Sequence, residues 1–521
     1  MISLVNEVKL DVQIIFKNGS TYTISKNTDD VSDDDDNFVT DVKFTEQTYV
    51  PSGNNIIGKV SDTEINIELK SLNGLLKPNS LHYFDINNNI IDNPYAGMMN
   101  KSARIKLTAT YESDNVVELG TYYVDNWESG NSNSTQDDVT ITAVGLFTKI
   151  KNITLPKFKI DMQSNFYNYI KTALDKINSS LPNYMQIIYN ENILKRIDMI
   201  YTDDWNVWYN NIETNNLENL FNCIAESTLS HVYIDRDHRL MIDPLIDDYK
   251  EKSVCELDST YNITEYQTSS TSIYDYTGVK TKYIKSIREE DKQIESADNI
   301  KVKSGLNTIS LEISSNKCSN IHSIECSTDS TTSIVYCKSF DIDDKEIELN
   351  IKSDSNTSVD INIFGSLIKE TKSSYKYKPQ TVNGDGGYLV VNNKILRGDT
   401  NINRYTQEYS RLINLNDGLL QVSGWFNPSI RLGDTVGVLA GGTTVDDKII
   451  EFSIGRRTQS VNKDNSDYTD RYTTYVKYKV VKAEYDFNQN YKCKFTLMRT
   501  AVDNTEYTIR DTVDQLGDRV G

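Results

Sequence analysis

Cysteine and histidine are scarce in this 521-residue chain, and neither is spaced as metal ligands usually are. The six cysteines form no CxxC pair, and the four histidines form no HExxH motif. The chain also lacks a GxSxG nucleophile elbow, a phosphate loop ending in Gly-Lys-Ser/Thr, and an apolar run near the ~20 residues that a membrane helix needs. The sequence therefore predicts no catalytic, cofactor-binding or metal-ligating residue, and no membrane insertion.

Basic residues are the second shortage, with 55 Lys and Arg against 75 Asp and Glu and a formal net charge of −20. Binding to nucleic-acid phosphates needs clustered cations, so specific nucleic-acid binding is not expected. Proline is also rare, with 8 residues, whereas tyrosine is abundant, with 33. Tyrosine suits half-buried strands, where its ring packs and its hydroxyl stays hydrated. The composition thus predicts a mainly β protein.

Two acidic loops resemble calcium sites only superficially. The run Asp33–Asp36 lacks a ring of spaced ligands, so a solvated loop is favoured over a calcium site. The stretch that begins at Asp85 starts like a calcium loop, but it has Ile90 where glycine is needed and Ala96 where glutamate is needed. We therefore do not predict calcium binding at Asp85.

Three further patterns leave an alternative open. His231 and His238 flank a short hairpin and could approach one metal ion, but no third ligand can be assigned, and surface histidines are favoured. The cysteines between Cys318 and Cys337 are close enough to form a disulfide, although free thiols in a reducing cytoplasm are favoured. The Gly384–Gly387 cluster lacks the spaced third glycine of a dinucleotide site, and a flexible joint or turn is favoured.

Hydrophobic periodicity divides the chain into four regions. Residues 1–155 alternate as strands, and 156–250 carry two helical stripes followed by a hairpin. Residues 251–380 are rich in Ser and Thr, with a β-sandwich expected at about 300–378, and 381–521 contain a helix and closing strands. The predicted fold is mainly β with α+β elements and multidomain, with two tube-like β-barrel or sandwich domains, a small α/β domain and the inserted β-sandwich.

The closing region carries the most specific motif, from Ser423 to Val438. It reads as a strand ending at Trp425, a turn at Pro428, and a Gly433–Asp434 turn that leads into an apolar strand. An amphipathic helix precedes it. This order resembles the closing domain of bacteriophage baseplate hub and tail-tip hub proteins, as in contractile-tailed phages and phage-tail-like particles, and Trp425, Pro428, Gly433 and Asp434 match its structural motif.

Two earlier segments resemble the same hub family. In the first region, the strand Gly120–Trp127 is similar to the recurring "Leu-Gly-x-Tyr/Phe-x-Val-Asp" strand of the N-terminal hub domain. In the second region, a helix followed by His231–Ile234 and Arg239–Pro244 is similar to the family's helix-to-hairpin element. The order of these motifs along the chain is what supports the resemblance.

The resemblance implies a non-enzymatic virion protein at the distal end of a tail, assembled in the cytoplasm of the host bacterium. It would form a homotrimeric ring that joins the tail tube to tip, spike or fibre proteins, and would line the channel for DNA and the tape-measure protein. No cofactor is expected. The alternative is a carbohydrate-binding adhesin or receptor-binding protein of the tail, which the Tyr-rich strands and the inserted sandwich motivate. A wall-degrading tip enzyme is a weaker third option.

Overall fold

A computed structural model of the chain describes most of its residues. The described ranges are 8–27, 37–48, 50–52, 55–59, 63–111, 115–131, 137–155, 166–194, 216–245, 253–258, 262–269, 276–312, 318–328, 334–341, 346–379, 387–393, 399–415, 419–440, 443–445, 448–451, 456–460, 470–487 and 491–498. The acidic run Asp33–Asp36 and the glycines Gly384 and Gly386 lie outside them.

Eleven strands and one short helix make up the described part of the first region. They are β1 (Val8–Ile15), β2 (Thr21–Asn27), β3 (Asn37–Gln47), β4 (Val50–Ser52), β5 (Asn55–Lys59), β6 (Glu64–Ser71), β7 (His82–Phe84), β8 (Ile90–Asp92), β9 (Arg104–Tyr111), β10 (Asn115–Asn131), β11 (Asp137–Val144) and α1 (Leu146–Ile150).

The middle of the chain contains two helices and further strands. They are α2 (Phe166–Ser180), a 3₁₀ turn (Asn183–Met185), α3 (Leu217–Thr228), β12 (Ser230–Ile234), β13 (Leu240–Pro244), β14 (Cys255–Asp258), β15 (Ile263–Ser269), β16 (Tyr276–Val302), β17 (Gly305–Glu312), β18 (Cys318–Thr328), β19 (Ile334–Asp341), β20 (Glu346–Ser353), β21 (Thr357–Tyr377) and β22 (Gly387–Asn392).

The closing region begins with a helix and continues as strands. They are α4 (Asp399–Leu415), β23 (Leu419–Gly424), β24 (Thr435–Leu439), β25 (Thr443–Val445), β26 (Lys448–Glu451), β27 (Arg456–Ser460), β28 (Asp470–Thr474), β29 (Val476–Asp486) and β30 (Lys492–Met498). Within the described ranges, no helix has the length and apolarity required to cross a membrane.

One thirteen-stranded sheet unites strands from both ends of the chain. Its order is β15-β23-β30-β29-β3-β6-β11-β10-β9-β1-β2, with β24 also pairing β29 and β14 pairing β24. The two halves meet where β3 pairs β29, from Lys43 opposite Asp486 to Gln47 opposite Lys482. The prediction of a mainly β fold with several sheets and a helical component is confirmed.

Several strands in the first half of the main sheet alternate between apolar and polar residues, as expected for strands with one buried face. In β1, every second residue from Val8 to Ile14 is buried, and β6 and β9 repeat this pattern. Aromatic rings extend the core across the joint, where Phe44 of β3 stacks on Tyr485 of β29 at 5.3 Å between ring centroids. Each such large side chain contributes about 1.5–3 kcal/mol through burial.

A second core packs the helices against a hairpin. The apolar stripes of α2 and α3 are buried together with β12 and β13, and α4 joins them through Ile402, Tyr405 and Tyr409. These are the segments where the sequence shows helical spacing. The hairpin β12–β13 runs from Ser230 opposite Pro244 to Ile234 opposite Leu240, and it reaches from this core toward the main sheet.

A long arm built on the paired strands β16 and β21, which β22 and β18 flank in a four-stranded sheet, extends from α4 to a third core. β16 and β21 pair from Val279 opposite Tyr377 to Val302 opposite Thr357, and the 27 residues of β16 span roughly 90 Å at the usual rise of a strand. The distal end of the arm holds a separate cluster, which includes Ile294, Leu349 and Ile361. The strands β17, β19 and β20 form a sheet at this end of the arm.

Candidate functional site: a buried arginine junction

The tip of the β12–β13 hairpin is a tight turn that its own side chains stabilise. The amide of Asp235 donates to the carbonyl of Arg239 at 2.9 Å, and Asp235 Oδ1 accepts from the amides of Asp237 and Arg239 at 2.9 and 2.8 Å. His238 adopts a left-handed conformation, with φ of 62°. Aspartate favours such turns because its carboxylate can bond the backbone two residues on. The turn presents Arg236 at the tip of the hairpin.

Arg236 is buried at the joint between the two halves of the main sheet. Its Nε and Nη2 donate to the two carboxylate oxygens of Glu46 at 2.7 and 2.6 Å. Nη1 donates to the carbonyl of Pro428 at 3.0 Å, and Nη2 also lies 3.3 Å from the carbonyl oxygen of Ile430. The hydroxyl of Tyr485 accepts from Nη2 at 2.9 Å. One side chain thus bonds three segments that lie far apart in the sequence.

Two aromatic rings enclose the guanidinium group. Its Cζ lies 5.3 Å from the ring centroids of both Phe44 and Tyr485. Only arginine fits this position well, because its planar fork can bind a carboxylate with two parallel bonds while its faces pack against rings.

Burial dominates the electrostatics of this junction. Burial by itself lowers the pKa of Arg236, but the charge of Glu46 and the neighbouring Tyr485 more than offset it and hold the pKa well above its usual value. Burial also raises the pKa of the hydroxyl of Tyr485, so this group remains a neutral donor and acceptor. The side chains of Arg236 and Glu46 are 1% and 4% exposed. Removing either partner of such a buried pair strongly destabilises the fold, because the remaining charge stays buried without a counter-ion.

A second set of contacts fixes the hairpin beside the first. The hydroxyl of Tyr233 lies 2.7 Å from Asp243 Oδ2 and 3.0 Å from the carbonyl oxygen of Leu432. Arg431 Nη1 donates to Asp237 Oδ2 at 2.6 Å. The hairpin is therefore bound along its length by the segment that precedes β24.

The predicted motif residues lie on both sides of this junction. The carbonyl of Pro428 is a ligand of Arg236, and Gly433, with φ of +78°, faces the hairpin so closely that an added Cβ would lie 2.1 Å from Asp243 Oδ2. Asp434 Oδ2 accepts from the amide of Arg431 at 2.7 Å; burial raises its pKa. Half-buried Trp425 lies further along, where its amide donates to the carbonyl of Asn262 at 3.3 Å. Their role as a hub motif stays a prediction.

The two central residues of the junction were not singled out from the sequence. One sequence signal was available: Val42, Phe44 and Glu46 are two residues apart in β3, so Glu46 lies on the same buried face of the strand as the two apolar residues. A carboxylate at an inward position of an alternating strand predicts a buried cationic partner. Its identity as Arg236 could not be deduced, because Arg236 lies 190 positions after Glu46 in the sequence and reaches it only through the packing of several elements.

The two hairpin histidines occupy different environments. His231 is buried with Nδ1 3.4 Å from the hydroxyl of Thr48, and burial, together with the charge of Lys479, lowers its pKa to about 3. His238 stacks on Tyr123 at 6.0 Å. Among the described residues, no three His, Cys, Asp or Glu side chains are grouped to hold a metal ion.

The loop at Asp85 and four of the cysteines can also be placed. Asp85 Oδ1 accepts from the amides of Asn87 and Asn89 at 2.9 and 2.7 Å, so the carboxylate closes its own turn. Cys223, Cys255, Cys326 and Cys493 are free thiols.

Comparison with known proteins gives distant structural likenesses. No family model matches the sequence, and no curated protein matches it. The tail protein from Neisseria meningitidis MC58 has a TM-score of 0.43 at 9% identity, over 94% of this chain and 98% of that one. The prophage MuSo2 43 kDa tail protein from Shewanella oneidensis has 0.41 at 9%, over 94% and 99%. Prophage tail protein gp18 from Listeria monocytogenes EGD-e has 0.40 at 9%, over 96% and 97%. At these TM-scores the likeness does not assign the chain to a family.

Proposed function

We propose that this chain is a structural, non-enzymatic hub protein of a bacteriophage tail or a tail-like particle. In this role, copies of the chain form a ring, with three as the expected number, at the distal end of the tail. The ring joins the tail tube to tip, spike or fibre proteins and surrounds the path of DNA and the tape-measure protein.

The observation that carries this proposal is the convergence of the three hub-like segments at Arg236. An added Cβ on Gly120, in the first motif, would lie 3.0 Å from the carbonyl oxygen of Arg236. The second motif is the hairpin that presents Arg236, and the third supplies the carbonyl of Pro428 and the close contact at Gly433. The three segments that resemble hub motifs in the sequence therefore meet at one residue in space. This is expected if the order of the motifs along the chain reflects the architecture of a hub protein.

The main sheet and the charge of the chain suit a ring. Within the described residues, the sheet ends at β2 on one side and β15 on the other, and open edges of this kind are commonly protected in assemblies. The net charge of −20 would make a ring of several copies strongly acidic. Where that charge faces the lumen, it repels DNA phosphates, so that DNA passes without adhering.

Cryo-electron microscopy of particles purified from the bacterium that carries the gene tests this proposal. Three copies around the tail axis, with β12–β13 inserted at the joint between β3 and β29, would support it. Copies at the periphery of the tail would instead favour a receptor-binding protein, and glycan binding that is lost on shortening the β16–β21 arm would then be the next measurement. Absence of the chain from purified particles would refute a structural tail role.

A further inference from the structure

The hairpin formed by β7 and β8 presents apolar side chains to solvent on both of its faces. Phe84 pairs with Ile90 on one face, and Tyr83 pairs with Ile91 on the other. Ile90 is 68% exposed, and Ile86, at the tip, is 91% exposed. The segment from Leu81 to Asp92 is called the apolar hairpin below.

An isolated two-stranded hairpin is only marginally stable in water, and monomers rarely expose contiguous apolar patches larger than a few hundred Å². Leu81 and Leu72, at the base of the apolar hairpin, are also exposed, and the amide of Phe84 donates to the carbonyl of Asn73 at 3.0 Å. The apolar side chains therefore form one projecting surface, and its physical chemistry calls for a partner that covers it.

A second exposed surface has complementary properties. Tyr184 and Ile188 are 50% and 56% exposed, and Arg104 lies over the ring of Tyr184, 4.2 Å from its centroid. Ile188 forms an isolated parallel β-bridge with Arg239, whose side chain is exposed. Within the described ranges, no carboxylate pairs with Arg104. This group of four residues is called the tyrosine surface below. It is apolar, and its basic side is Arg104, because Arg239 already pairs with Asp237 at 3.2 Å. The apolar hairpin, in contrast, carries the carboxylates of Asp85 and Asp92.

The two surfaces do not cover each other within one copy. Ile86 and Ile90 of the apolar hairpin are 91% and 68% exposed, and Tyr184 and Ile188 of the tyrosine surface are 50% and 56% exposed. The tyrosine surface of another copy is therefore accessible to the apolar hairpin.

We propose that the apolar hairpin of one copy of this chain docks on the tyrosine surface of the next copy. Ile86 and Ile90 pack against Tyr184 and Ile188, while Asp85 faces the basic side of the surface. A contact between two apolar hairpins is disfavoured, because it would bring the carboxylates of Asp85 and Asp92 close to the same carboxylates of the second hairpin. A head-to-tail contact of this kind closes into a ring when the rotation between copies permits it.

Sedimentation velocity of the full chain tests whether the apolar hairpin drives association. The wild-type protein should associate at micromolar concentrations, and Ile86→Asp should weaken association at least tenfold. Leu306→Asp is the matched control, since Leu306 is an exposed aliphatic residue on a strand of the arm, at 65% exposure, and it should change association less than twofold. A wild-type chain that remains monomeric at 100 µM, or equal association of Ile86→Asp and wild type, would overturn the proposal.

Site-specific cross-linking tests which surface receives the apolar hairpin. A mixture of Ile86→Cys and Ile188→Cys chains, treated with a short bismaleimide, should give a cross-linked dimer above the wild-type background. Each variant alone should not, and neither should a mixture of Ile86→Cys with Leu306→Cys. Cross-linking of Ile86→Cys to itself would show a contact between hairpins and would refute the head-to-tail contact.

This contact deepens the proposed ring and rests on that function, but the two can fail separately. If particles show the ring while Ile86→Asp still assembles into it, the contact proposed here is wrong and the structural role stands. If the solution assays show the contact while purified particles lack the chain, the contact stands and the tail role is wrong.

Discussion

Removing the carboxylate of Glu46 is expected to destabilise the joint of the main sheet more than any exposed charge substitution in the chain. In Glu46→Ala, the guanidinium of Arg236 keeps the carbonyl oxygens of Pro428 and Ile430 and the hydroxyl of Tyr485, but it loses its only anionic ligand among the described residues. Its side chain is 1% exposed, so water cannot replace the lost partner without opening the joint.

The expected cost is about 3–5 kcal/mol, the range found when one partner of a buried ion pair is removed. Arg236→Ala should cost a similar amount, because it leaves the carboxylate of Glu46 buried. The double variant Glu46→Leu/Arg236→Met should be much closer to wild type, within ~2 kcal/mol, since apolar residues of similar volume often replace a buried pair at little cost. Arg239→Ala is the matched control: its pair with Asp237 is exposed, and such pairs contribute ~1 kcal/mol or less.

Native-state hydrogen exchange suits this test, because a chain whose described residues form three cores is not expected to unfold in one step. The informative peptides cover Lys43–Gln47 and Lys482–Asp486, which pair across the joint. Their opening free energies should fall by the amounts above in both single variants. A loss below ~1 kcal/mol in both single variants would show that the ion pair does not hold the joint, and our account of the site would be wrong.

Three further predictions concern other parts of the chain. Gly433→Ala should lower the opening free energy that hydrogen exchange measures at the joint by about 3 kcal/mol or more, because it combines backbone strain with a clash. Gly19→Ala, which has positive φ but open space around it, should lower the opening free energy of β1 and β2 by only ~1 kcal/mol. Burial lowers the pKa of His231 to about 3. Its contribution to stability is therefore complete above the unfolded pKa of about 6.5, and it is lost at ~1.4 kcal/mol per pH unit as the pH falls from there toward 3. His231→Gln should flatten the pH dependence of urea denaturation over this interval, and an unchanged slope would contradict the burial of a neutral His231. Glu289 and Leu367 pair across the arm, and an Asn-Gly turn that joins them in place of the residues between them would remove the distal core. The melting temperature of the rest of the chain should change by no more than a few degrees, since the distal core is separate. A large drop would show that the distal part of the arm stabilises the rest of the chain.

Local periodicity was enough to predict most elements of the fold but not their long-range partners. The alternation of β1 and the helical spacing of α4 are local consequences of which residues are apolar, and both elements lie where the sequence places them. The pairing of β3 with β29 could not be predicted, because it joins Lys43 to Asp486 through contacts that no local pattern encodes.

The candidate site shows the same division. Gly433 and Pro428 were recognised as turn residues because turns have local sequence signals, but the reason for the glycine, its close approach to Asp243, depends on a hairpin about 190 residues earlier. The outward apolar residues of the β7–β8 hairpin were also not recognised, since periodicity predicts that such side chains are buried and does not show when a strand pair projects from the body.

The arginine junction also has a consequence for how the chain reaches its fold. The main sheet is complete only when β29 and β30 have joined β3, and the hairpin that locks this joint bonds Glu46 and the carbonyl of Pro428 through the same side chain. None of these contacts is local in sequence, and folding dominated by non-local pairing is slow, because loop-closure entropy is lost before the contacts form. Until the last strands have been synthesised, β3 presents an unpaired edge on one side. The desolvation of the buried ion pair is offset only when all three segments are in place, so partly paired forms of the sheet are disfavoured.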